Sequence, residues 1–381
     1  MGWADDVVRV RVPATSANLG PGFDALGLAL TLYDEVDAWI RPAGLSIEIS
    51  GEGADLAEAG EKHLVVRAMR AAFAVTGTQP PGIGLRCVNR IPHGRGLGSS
   101  AAAIVAGILA ARALARTDGQ AGDGQAWDGR AGDGQAGDGQ AGDGRAGDGQ
   151  AGNGQAGNGQ AGNGAESGPS TGALPEDAVF RLATGLEGHP DNVAACLGGG
   201  LTIAWTVSGR PNMVRLEPLP SISPVICVAP APVRTEAARR LLPDLVPHKD
   251  AAANAGRSAL LVAALTLLPA AASPGAGWPD GAGALFDATQ DWLHQDYRSA
   301  AMPETDALVR RLRAEGIAAV VSGAGPSVLA LLVDRESPDY RHHLDSLGSI
   351  VKETGIAWHV SSLDVERHGA RVLSREPLPG S

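Results

Sequence analysis

Residues 92–102 read PHGRGLGSSAA, and this short stretch is the most informative part of the chain. Residues 83–88 before it alternate apolar and polar positions, which predicts a β-strand. Residues 99–116 after it are rich in Ala, Ile, Val and Leu and carry serine at their start, which predicts a long helix. A glycine-rich turn between a strand and a helix N-terminus lets backbone N–H groups and the helix dipole meet an anion. The stretch therefore predicts a phosphate-binding loop.

Two better-known phosphate loops do not fit these residues. A P-loop would need a lysine after the glycines, and a dinucleotide fingerprint would need an acidic residue about 20 positions further on. A purely structural, serine-capped glycine turn is the alternative, and we favour the phosphate-binding interpretation over it. The candidate ATP-binding residues of the stretch are Pro92, His93, Gly94, Arg95, Gly96, Leu97, Gly98, Ser99, Ser100, Ala101 and Ala102.

The composition indicates a soluble protein. The chain has 381 residues, 44% of them hydrophobic, and a formal net charge of −11 without basic runs. An acidic chain of this kind is not expected to bind nucleic acid or an anionic membrane. Cys87, Cys196 and Cys227 are far apart, so reduced thiols are expected rather than a metal cage. No signal peptide and no spanning segment is recognisable, which favours a cytoplasmic location.

One segment differs in character from the rest. Residues 119–163 repeat a five-residue unit, GQAG followed by Asp or Asn, nine times with small variations. Such a composition cannot bury enough apolar surface to offset the entropy of ordering, so we expect a disordered loop over 118–172. A calcium-binding β-roll is a weaker alternative, because those repeats are nonapeptides with a regular apolar position.

The remainder predicts an α+β protein of two domains. Segments of strand and helix periodicity follow one another on both sides of the repeat. A stretch rich in proline and serine near 210–222 predicts the boundary. We expect an N-terminal ATP-binding domain over 1–210, interrupted by the repeat loop, and a C-terminal domain over 220–381.

Two further motifs lead to a resemblance. Residues 12–24 read VPATSANLGPGFD and residues 321–329 read VSGAGPSVL. Together with PHGRGLGSSAA they resemble the three motifs of the GHMP kinases, which phosphorylate small alcohols and sugars. Residues 187–192, EGHPDN, and 235–243, TEAARRLLP, are similar to the branch of that family that acts on homoserine.

The resemblance implies a fold and a reaction. The fold would be the two-domain GHMP kinase fold: an N-terminal domain with a left-handed βαβ crossover, like domain 2 of ribosomal protein S5, and a ferredoxin-like C-terminal domain. The reaction would be the ATP-dependent phosphorylation of L-homoserine to O-phospho-L-homoserine in threonine biosynthesis, with Mg²⁺ as cofactor. The partners would be ATP and L-homoserine, with a homodimer as one option for the assembly.

The resemblance also implies a set of substrate-binding residues. Asn18, Asp24, His189 and Asp191 would meet the amino acid, although Asn18 and Asp24 also suit ordinary turn chemistry. Thr235, Arg239 and Arg298 complete the set. A planar guanidinium matches the two oxygens of a carboxylate, whereas a surface arginine is the structural alternative.

Catalysis and metal binding are expected around the same loop. The catalytic candidates are Asn192, Ser100 and Arg239. Other GHMP kinases place a catalytic acid near position 192, whereas this chain has an amide there. The resemblance therefore implies that phosphoryl transfer relies on positioning rather than on a strong base. Ser100 and Glu187 are the candidate Mg²⁺ ligands. His63 is the candidate adenine contact, at a position where relatives commonly carry Asn.

Two other functions remain open from the residues. One is a GHMP kinase for another small alcohol or a sugar; the arginine pair argues against a sugar, because a sugar has no carboxylate to bind. The other is a binding protein of the same fold that has lost catalysis, which would not be expected to keep a complete phosphate loop.

Overall fold

The fold is described from a computed structural model, which covers residues 3, 6–115, 174–233, 235–267 and 281–377. The strands of these residues are β1 Asp6–Ala17, β2 Leu26–Arg41, β3 Gly44–Gly51, β4 Gly82–Asn89, β5 Leu201–Val207, β6 Arg210–Leu216, β7 Ile222–Val228, β8 Ala318–Val321, β9 Val328–Val333, β10 His359–Ser362 and β11 Arg371–Pro377. The α-helices are α1 Leu64–Val75, α2 Ser99–Leu114, α3 Glu176–Glu187, α4 Asp191–Gly198, α5 Thr235–Arg239, α6 His248–Thr266, α7 Gly281–Ala288, α8 Gln295–Arg298, α9 Pro303–Ala314 and α10 Pro338–Glu353. Short 3₁₀ segments span Ala54–Lys62 and Ser299–Ala301.

The larger sheet belongs to the N-terminal half. Its seven strands include the path β11-β1-β2-β4-β3, and β5 joins β2 and carries β6 at its other edge. All of these pairs are antiparallel except β3 with β4. The parallel pair is joined through α1, so β3, α1 and β4 form the βαβ unit that the resemblance predicts. Helices α1, α2, α3 and α4 are packed on this half of the molecule.

The phosphate-loop helix is buried along almost its whole length. In α2 the side chains of Ile104, Val105, Ile108 and Leu114 are at most 1% exposed. A helix that is apolar all round belongs in a core rather than at a surface. Its N-terminus is therefore held rigidly against the sheet, which fixes the glycine loop that precedes it.

The smaller sheet has the order β10-β7-β9-β8. Its four strands are antiparallel, and counted along the chain from β7 they lie in the order 4-1-3-2. This is the arrangement of a ferredoxin-like βαββαβ unit. Alternate residues of β7 face opposite sides: Ile226 belongs to the main core and Cys227 to a second cluster that includes residues of α9 and α10.

One core joins the two halves. Val10 of β1, Leu85 of β4, Leu261 of α6 and Leu329 of β9 belong to the same buried cluster. The cleft described below therefore lies between two units that share a continuous apolar interior, so its walls are held by packing on both sides.

The structure extends the N-terminal unit beyond the predicted boundaries. β6 begins at Arg210 inside the predicted boundary region, and β11 returns from the end of the chain to pair with β1. The repeat over 118–172 lies outside the described residues. Among the helices of the described part, none is long and apolar enough to cross a bilayer.

Candidate active site

The glycine loop is shaped by left-handed backbone and by close packing. Gly94, Gly96 and Gly98 have φ values of 66°, 73° and 68°. A Cβ added to Gly96 would lie 2.1 Å from the carbonyl oxygen of Ser322, and one added to Gly98 would lie 1.9 Å from Oγ1 of Thr15. Only glycine fits such positions, because left-handed backbone disfavours side chains and these contacts leave no room for one. The loop is thus pressed between β1 and the turn after β8.

The N-terminus of α2 is left open toward the cleft. The first hydrogen bond of this helix runs from the N–H of Ala102 to the carbonyl of Gly98 at 2.9 Å. Within the described residues, the N–H groups of Ser99, Ser100 and Ala101 donate to no protein acceptor. Free N–H groups at the positive end of a helix dipole form an anion site.

The side chains of the loop divide into two groups. Leu97, Ala101 and Ala102 are at most 1% exposed and pack into the core, so only their backbone is available to a ligand. Arg95 turns away from the cleft and donates to the carbonyls of Ala229, Pro230 and His93 at 2.9–3.0 Å. Its guanidinium therefore fixes the loop to the C-terminal half, and the structure gives it no place on the cleft wall.

An apolar cavity of about 270 Å³ opens beside the loop and meets it at Ser99 and Ser100. Its lining includes Leu56, Lys62 and His63. His63 is buried with an unpartnered Nδ1, and burial followed by the neighbouring His93 lowers its pKa. A neutral imidazole with a free nitrogen in an apolar cavity suits one hydrogen bond to a heterocyclic base.

Ser100 and Glu187 meet in the cleft, where Ser100 also borders this cavity. The Ser100 hydroxyl donates to the Glu187 carboxylate at 2.6 Å. Burial raises the pKa of Glu187, while the Ser100 hydrogen bond and His189 oppose that shift. Two hard oxygen donors beside a phosphate-binding helix N-terminus fit Mg²⁺, which takes few protein ligands and fills its shell with phosphate oxygens and water. In the described part of the chain, no cluster of three or more His, Cys, Asp or Glu side chains offers a separate cage.

Residues 18–24 form the opposite wall of the cleft in a strained conformation. Asn18, Leu19 and Asp24 all have positive φ, between 53° and 68°. Asn18 donates through Nδ2 to the carbonyl of Gly323 at 2.8 Å, and its Oδ1 accepts from the N–H of Asp24 at 3.0 Å. Its side chain therefore holds the segment in place, and backbone strain maintained in this way is typical of a functional site.

Asp24 and Arg239 are paired with each other. Two hydrogen bonds of 3.0 and 2.7 Å join the guanidinium to the two carboxylate oxygens. Both side chains are 35% exposed, so the pair lies on the open wall of the cleft. The hydrogen bonds to Asp24 raise the pKa of Arg239. A cation and an anion are thus presented side by side, as a zwitterionic ligand would need.

Arg298 differs from Arg239 in being buried and in having no directly paired carboxylate among the described residues. The residue is 1% exposed, and its Nε has no hydrogen-bond partner. Among the described residues no carboxylate lies within 4.0 Å of its guanidinium, which is 5.1 Å from the ring centre of Phe23. Burial, and then the charge of Arg239, lower its pKa. Asp24, Asp291 and Asp191 act on its pKa in the opposite direction, without pairing with it directly. A buried cation that lacks a directly paired carboxylate is costly and calls for an anionic ligand.

His189, Asp191 and Asn192 converge on the floor of the cleft. His189 Nδ1 lies 3.1 Å from Oδ1 of Asp191, which raises the pKa of the imidazole. The same carboxylate oxygen accepts the N–H of Asn192 at 2.8 Å. The Thr15 hydroxyl donates to Oδ1 of Asn192 at 2.8 Å, which leaves the Nδ2 group of the amide as the donor available to the cleft.

These residues line one cleft of about 410 Å³. It brings together most of the sequence-predicted residues from distant parts of the chain: Asn18, Asp24, Gly94, Gly96, Leu97, Gly98, Ser99, Ser100, Glu187, His189, Asp191, Asn192, Thr235, Arg239 and Arg298. His63 and His93 line the adjoining cavity instead. Pro92, Arg95, Ala101 and Ala102 line neither.

Sequence reasoning overlooked two residues that support the cleft. Thr15 holds Asn192, and the Ser322 hydroxyl donates to the Gly96 carbonyl at 2.7 Å and contacts the Ser16 hydroxyl at 2.9 Å. Both belong to the quoted motifs, so the signal was present in the sequence. Their hydrogen-bond partners are more than 170 positions away in the sequence. Hydrophobic periodicity, which reports on local structure, cannot reveal such contacts.

Comparison with known proteins identifies the family. Residues 63–126 match the model of the GHMP kinases N terminal domain, and residues 269–354 match that of the GHMP kinases C terminal domain. A homoserine kinase from Streptomyces coelicolor is 47% identical over 366 residues, covering 96% of this chain and 94% of that protein. The chain belongs to the homoserine kinases of the GHMP kinase family.

Further relatives of the homoserine kinases agree with this placement. A homoserine kinase from Clavibacter michiganensis is 42% identical over 96% of this chain and 93% of its own. The fold matches the crystal structure of homoserine kinase from Cytophaga hutchinsonii with a TM-score of 0.69, at 24% identity over 98% of this chain and 99% of that one. The predicted family and fold class are therefore confirmed.

Proposed function

We propose that the cleft transfers the γ-phosphoryl group of ATP to the side-chain hydroxyl of L-homoserine, producing O-phospho-L-homoserine and ADP. This reaction belongs to threonine biosynthesis. The observation that carries the assignment is the buried Arg298 guanidinium, which has no carboxylate partner within the described residues and lies on the same cleft wall as Arg239. A sugar or an uncharged alcohol would leave that charge uncompensated.

ATP binds across the two cavities. Its base enters the 270 Å³ apolar cavity at His63, and its phosphates lie along the glycine loop at the N-terminus of α2. The free N–H groups of residues 99–101 then bond phosphate oxygens, and the helix dipole adds to the attraction. The closed packing around Gly96 and Gly98 keeps these donors fixed before the nucleotide arrives, as electrostatic stabilisation of transfer requires.

Ser100 and Glu187 would hold a Mg²⁺ ion. Their oxygens are 2.6 Å apart in a hydrogen bond that a metal ion would replace. The chemistry supplied at this site would be positive charge beside the phosphates of ATP. The ionised form of Glu187 is the ligand, so the raised pKa of this carboxyl makes metal binding weaken as the pH falls.

Homoserine binds opposite the phosphates as a zwitterion. Its carboxylate meets Arg298 and Arg239, and its ammonium meets Asp24, with His189 and Asp191 beside it. Without substrate, Arg239 and Asp24 are paired with each other at 2.7–3.0 Å. The carboxylate and the ammonium of homoserine then replace this pairing, each binding the residue of opposite charge. Asn18 contributes by fixing the segment that carries Asp24. Thr235 lines the same wall.

Transfer relies on positioning rather than on a strong base. Asn192 stands where a carboxylate would be needed for general-base catalysis, and an amide cannot take a proton at neutral pH. Because Thr15 engages its Oδ1, Asn192 presents an N–H donor, which suits the negative oxygens of the transferring phosphoryl group. Phosphoryl transfer through a loose transition state can proceed on alignment and charge stabilisation alone.

Substrate analogues test the proposal. ³¹P NMR of reactions with ATP should show a new phosphomonoester with L-homoserine. 4-Hydroxybutyrate lacks the ammonium and 3-aminopropan-1-ol lacks the carboxylate, so each should react at least about 100-fold more slowly, because one buried or paired charge of the cleft stays unmatched. Equal turnover of either analogue would contradict the zwitterion site.

A further inference from the structure

His294 lies behind the amino-acid site and is fully buried. It immediately precedes α8, and its ring stacks on Phe23 with 5.0 Å between centres. Its Nε2 is 2.8 Å from the carbonyl oxygen of Gly20, and its Nδ1 is 3.3 Å from a terminal nitrogen of Arg298. The ring thus connects the strained 18–24 segment with the guanidinium that would bind the substrate carboxylate.

These two contacts fix the state of the ring. A carbonyl oxygen only accepts, so Nε2 carries the hydrogen. An arginine nitrogen only donates, so Nδ1 carries the lone pair. Both contacts are satisfied together by the neutral Nε2–H tautomer alone. A protonated ring would direct a second N–H toward the Arg298 guanidinium and lose that acceptor.

The ring also leaves the charge of Arg298 available. Phe23 offers its face, at 5.1 Å from the guanidinium carbon, and His294 offers a neutral acceptor. Neither carries a negative charge, and Arg298 Nε keeps no partner. A carboxylate at position 294 would hold the guanidinium equally well but would cancel its charge.

We propose that His294 is a positioning residue for substrate choice: it orients Arg298 through a neutral acceptor, so that the positive charge of Arg298 is kept for the carboxylate of the amino acid. This inference rests on the proposed function. It assigns a role to His294, four residues before Arg298, which is not among the substrate-binding residues predicted from the sequence.

The charged groups around His294 decide how the site responds to acid. Asp291 approaches Nε2 at 3.7 Å from the preceding turn, and Asp24 lies on the segment that packs against the ring. Arg298 faces Nδ1, and the guanidinium carbon of Arg239 lies 5.7 Å from the centre of the Phe23 ring. Burial is the largest influence and lowers the pKa of His294, with Arg298 acting in the same direction and Asp291 against it. This direction favours the neutral Nε2–H ring that the two hydrogen bonds require.

Three variants test the inference by steady-state kinetics with each substrate varied in turn. In His294→Leu the KM for L-homoserine should rise by about tenfold or more, since Arg298 loses an acceptor, while the KM for ATP stays within about twofold. His294→Gln keeps one acceptor and one donor and should recover most of the homoserine affinity. His294→Glu should be the weakest homoserine binder of the three. His342→Gln, at an exposed histidine of α10, is the matched control and should behave as the parent enzyme.

Two outcomes would overturn the inference. One is a homoserine KM in His294→Leu within about twofold of the parent value; the other is an equal rise in both KM values, which would indicate general loosening. If His294→Leu does not fold, the comparison of Gln with Glu decides: equal homoserine KM values would contradict a role for a neutral acceptor. Failure of the parent enzyme to phosphorylate homoserine would instead refute the proposed function, so the two failures are distinguishable.

Discussion

Replacing Arg298 by methionine should weaken substrate binding and stabilise the fold at the same time. Methionine has a similar length and no charge. In the parent protein the guanidinium is 1% exposed, has no carboxylate within 4.0 Å among the described residues, and keeps one nitrogen unpartnered. The buried guanidinium therefore destabilises the free enzyme, whereas in the complex it binds the substrate carboxylate.

The magnitude of the binding loss follows from the interaction removed. A hydrogen bond between charged groups contributes about 1.5–3 kcal/mol, and about 1.4 kcal/mol corresponds to tenfold in affinity. The KM for L-homoserine should thus rise roughly 10- to 150-fold in Arg298→Met. The KM for ATP should change little, because the nucleotide binds along the glycine loop on the other wall.

The stability change is the difference of two opposing terms. On one side, loss of the contact with Phe23 costs about 0.5–2 kcal/mol, and the buried Nδ1 of His294, left without a donor, costs about 1–3 kcal/mol. On the other side, a buried charge that lacks a directly paired carboxylate costs several kcal/mol. The second term is larger, so the variant should unfold at a higher temperature, by about 2–4 °C for each 1 kcal/mol gained. Differential scanning calorimetry without substrates and coupled kinetic assays measure the two effects on the same samples.

The exposed neighbour of Arg239 provides the control. Arg240→Met makes the same charge change on the surface, where little effect on either quantity is expected. An Arg298→Met protein with an unchanged homoserine KM would refute the carboxylate assignment. A lower unfolding temperature would refute the idea that the charge is uncompensated in the free enzyme.

Four further results are expected. Ser100→Ala should lower kcat by about 100-fold or more while the protein stays folded, because the hydroxyl serves the phosphates or the metal ion; unchanged turnover would exclude that role. Thr15→Val should lower kcat by about tenfold, with Thr15→Ser restoring it, since the hydroxyl orients the amide of Asn192. In urea unfolding, His189→Gln should destabilise the protein more at about pH 5.5 than at about pH 9. The pKa of His189 is raised in the folded protein, so this residue contributes its full stabilisation below its unfolded pKa, and that stabilisation is lost as the pH rises through the folded pKa. Deletion of residues 119–163 should leave kcat and both KM values within about twofold, because loop-closure entropy varies only as the logarithm of length.

The site was more predictable from the sequence than the strand order. Glycines that must adopt positive φ at close contacts leave a local trace, so the glycine turn around Gly96 could be predicted, and the helix expected over 99–116 is found as α2, Ser99–Leu114. The longest strand, β2, was not predicted. It lies between β1, β4 and β5, and its first residues are buried without interruption, so the two-residue alternation that marks a strand is missing.

Long-range pairing accounts for the remaining differences. The ion pair of Asp24 with Arg239 joins positions 215 residues apart, and the sequence offered both only as separate substrate contacts. The return of β11 to β1 places the last described strand in the first sheet, across the predicted domain boundary. Such contacts depend on the complete fold, and no local propensity encodes them.

The most direct measurement compares substrates in one coupled assay of ADP release. L-Homoserine, mevalonate and galactose are supplied in turn with ATP and Mg²⁺, and kcat/KM is determined for each. We expect L-homoserine to exceed both others by at least about 1000-fold, since only it brings the carboxylate and the ammonium that Arg298, Arg239 and Asp24 require. A comparable or higher kcat/KM for mevalonate or galactose would contradict the account.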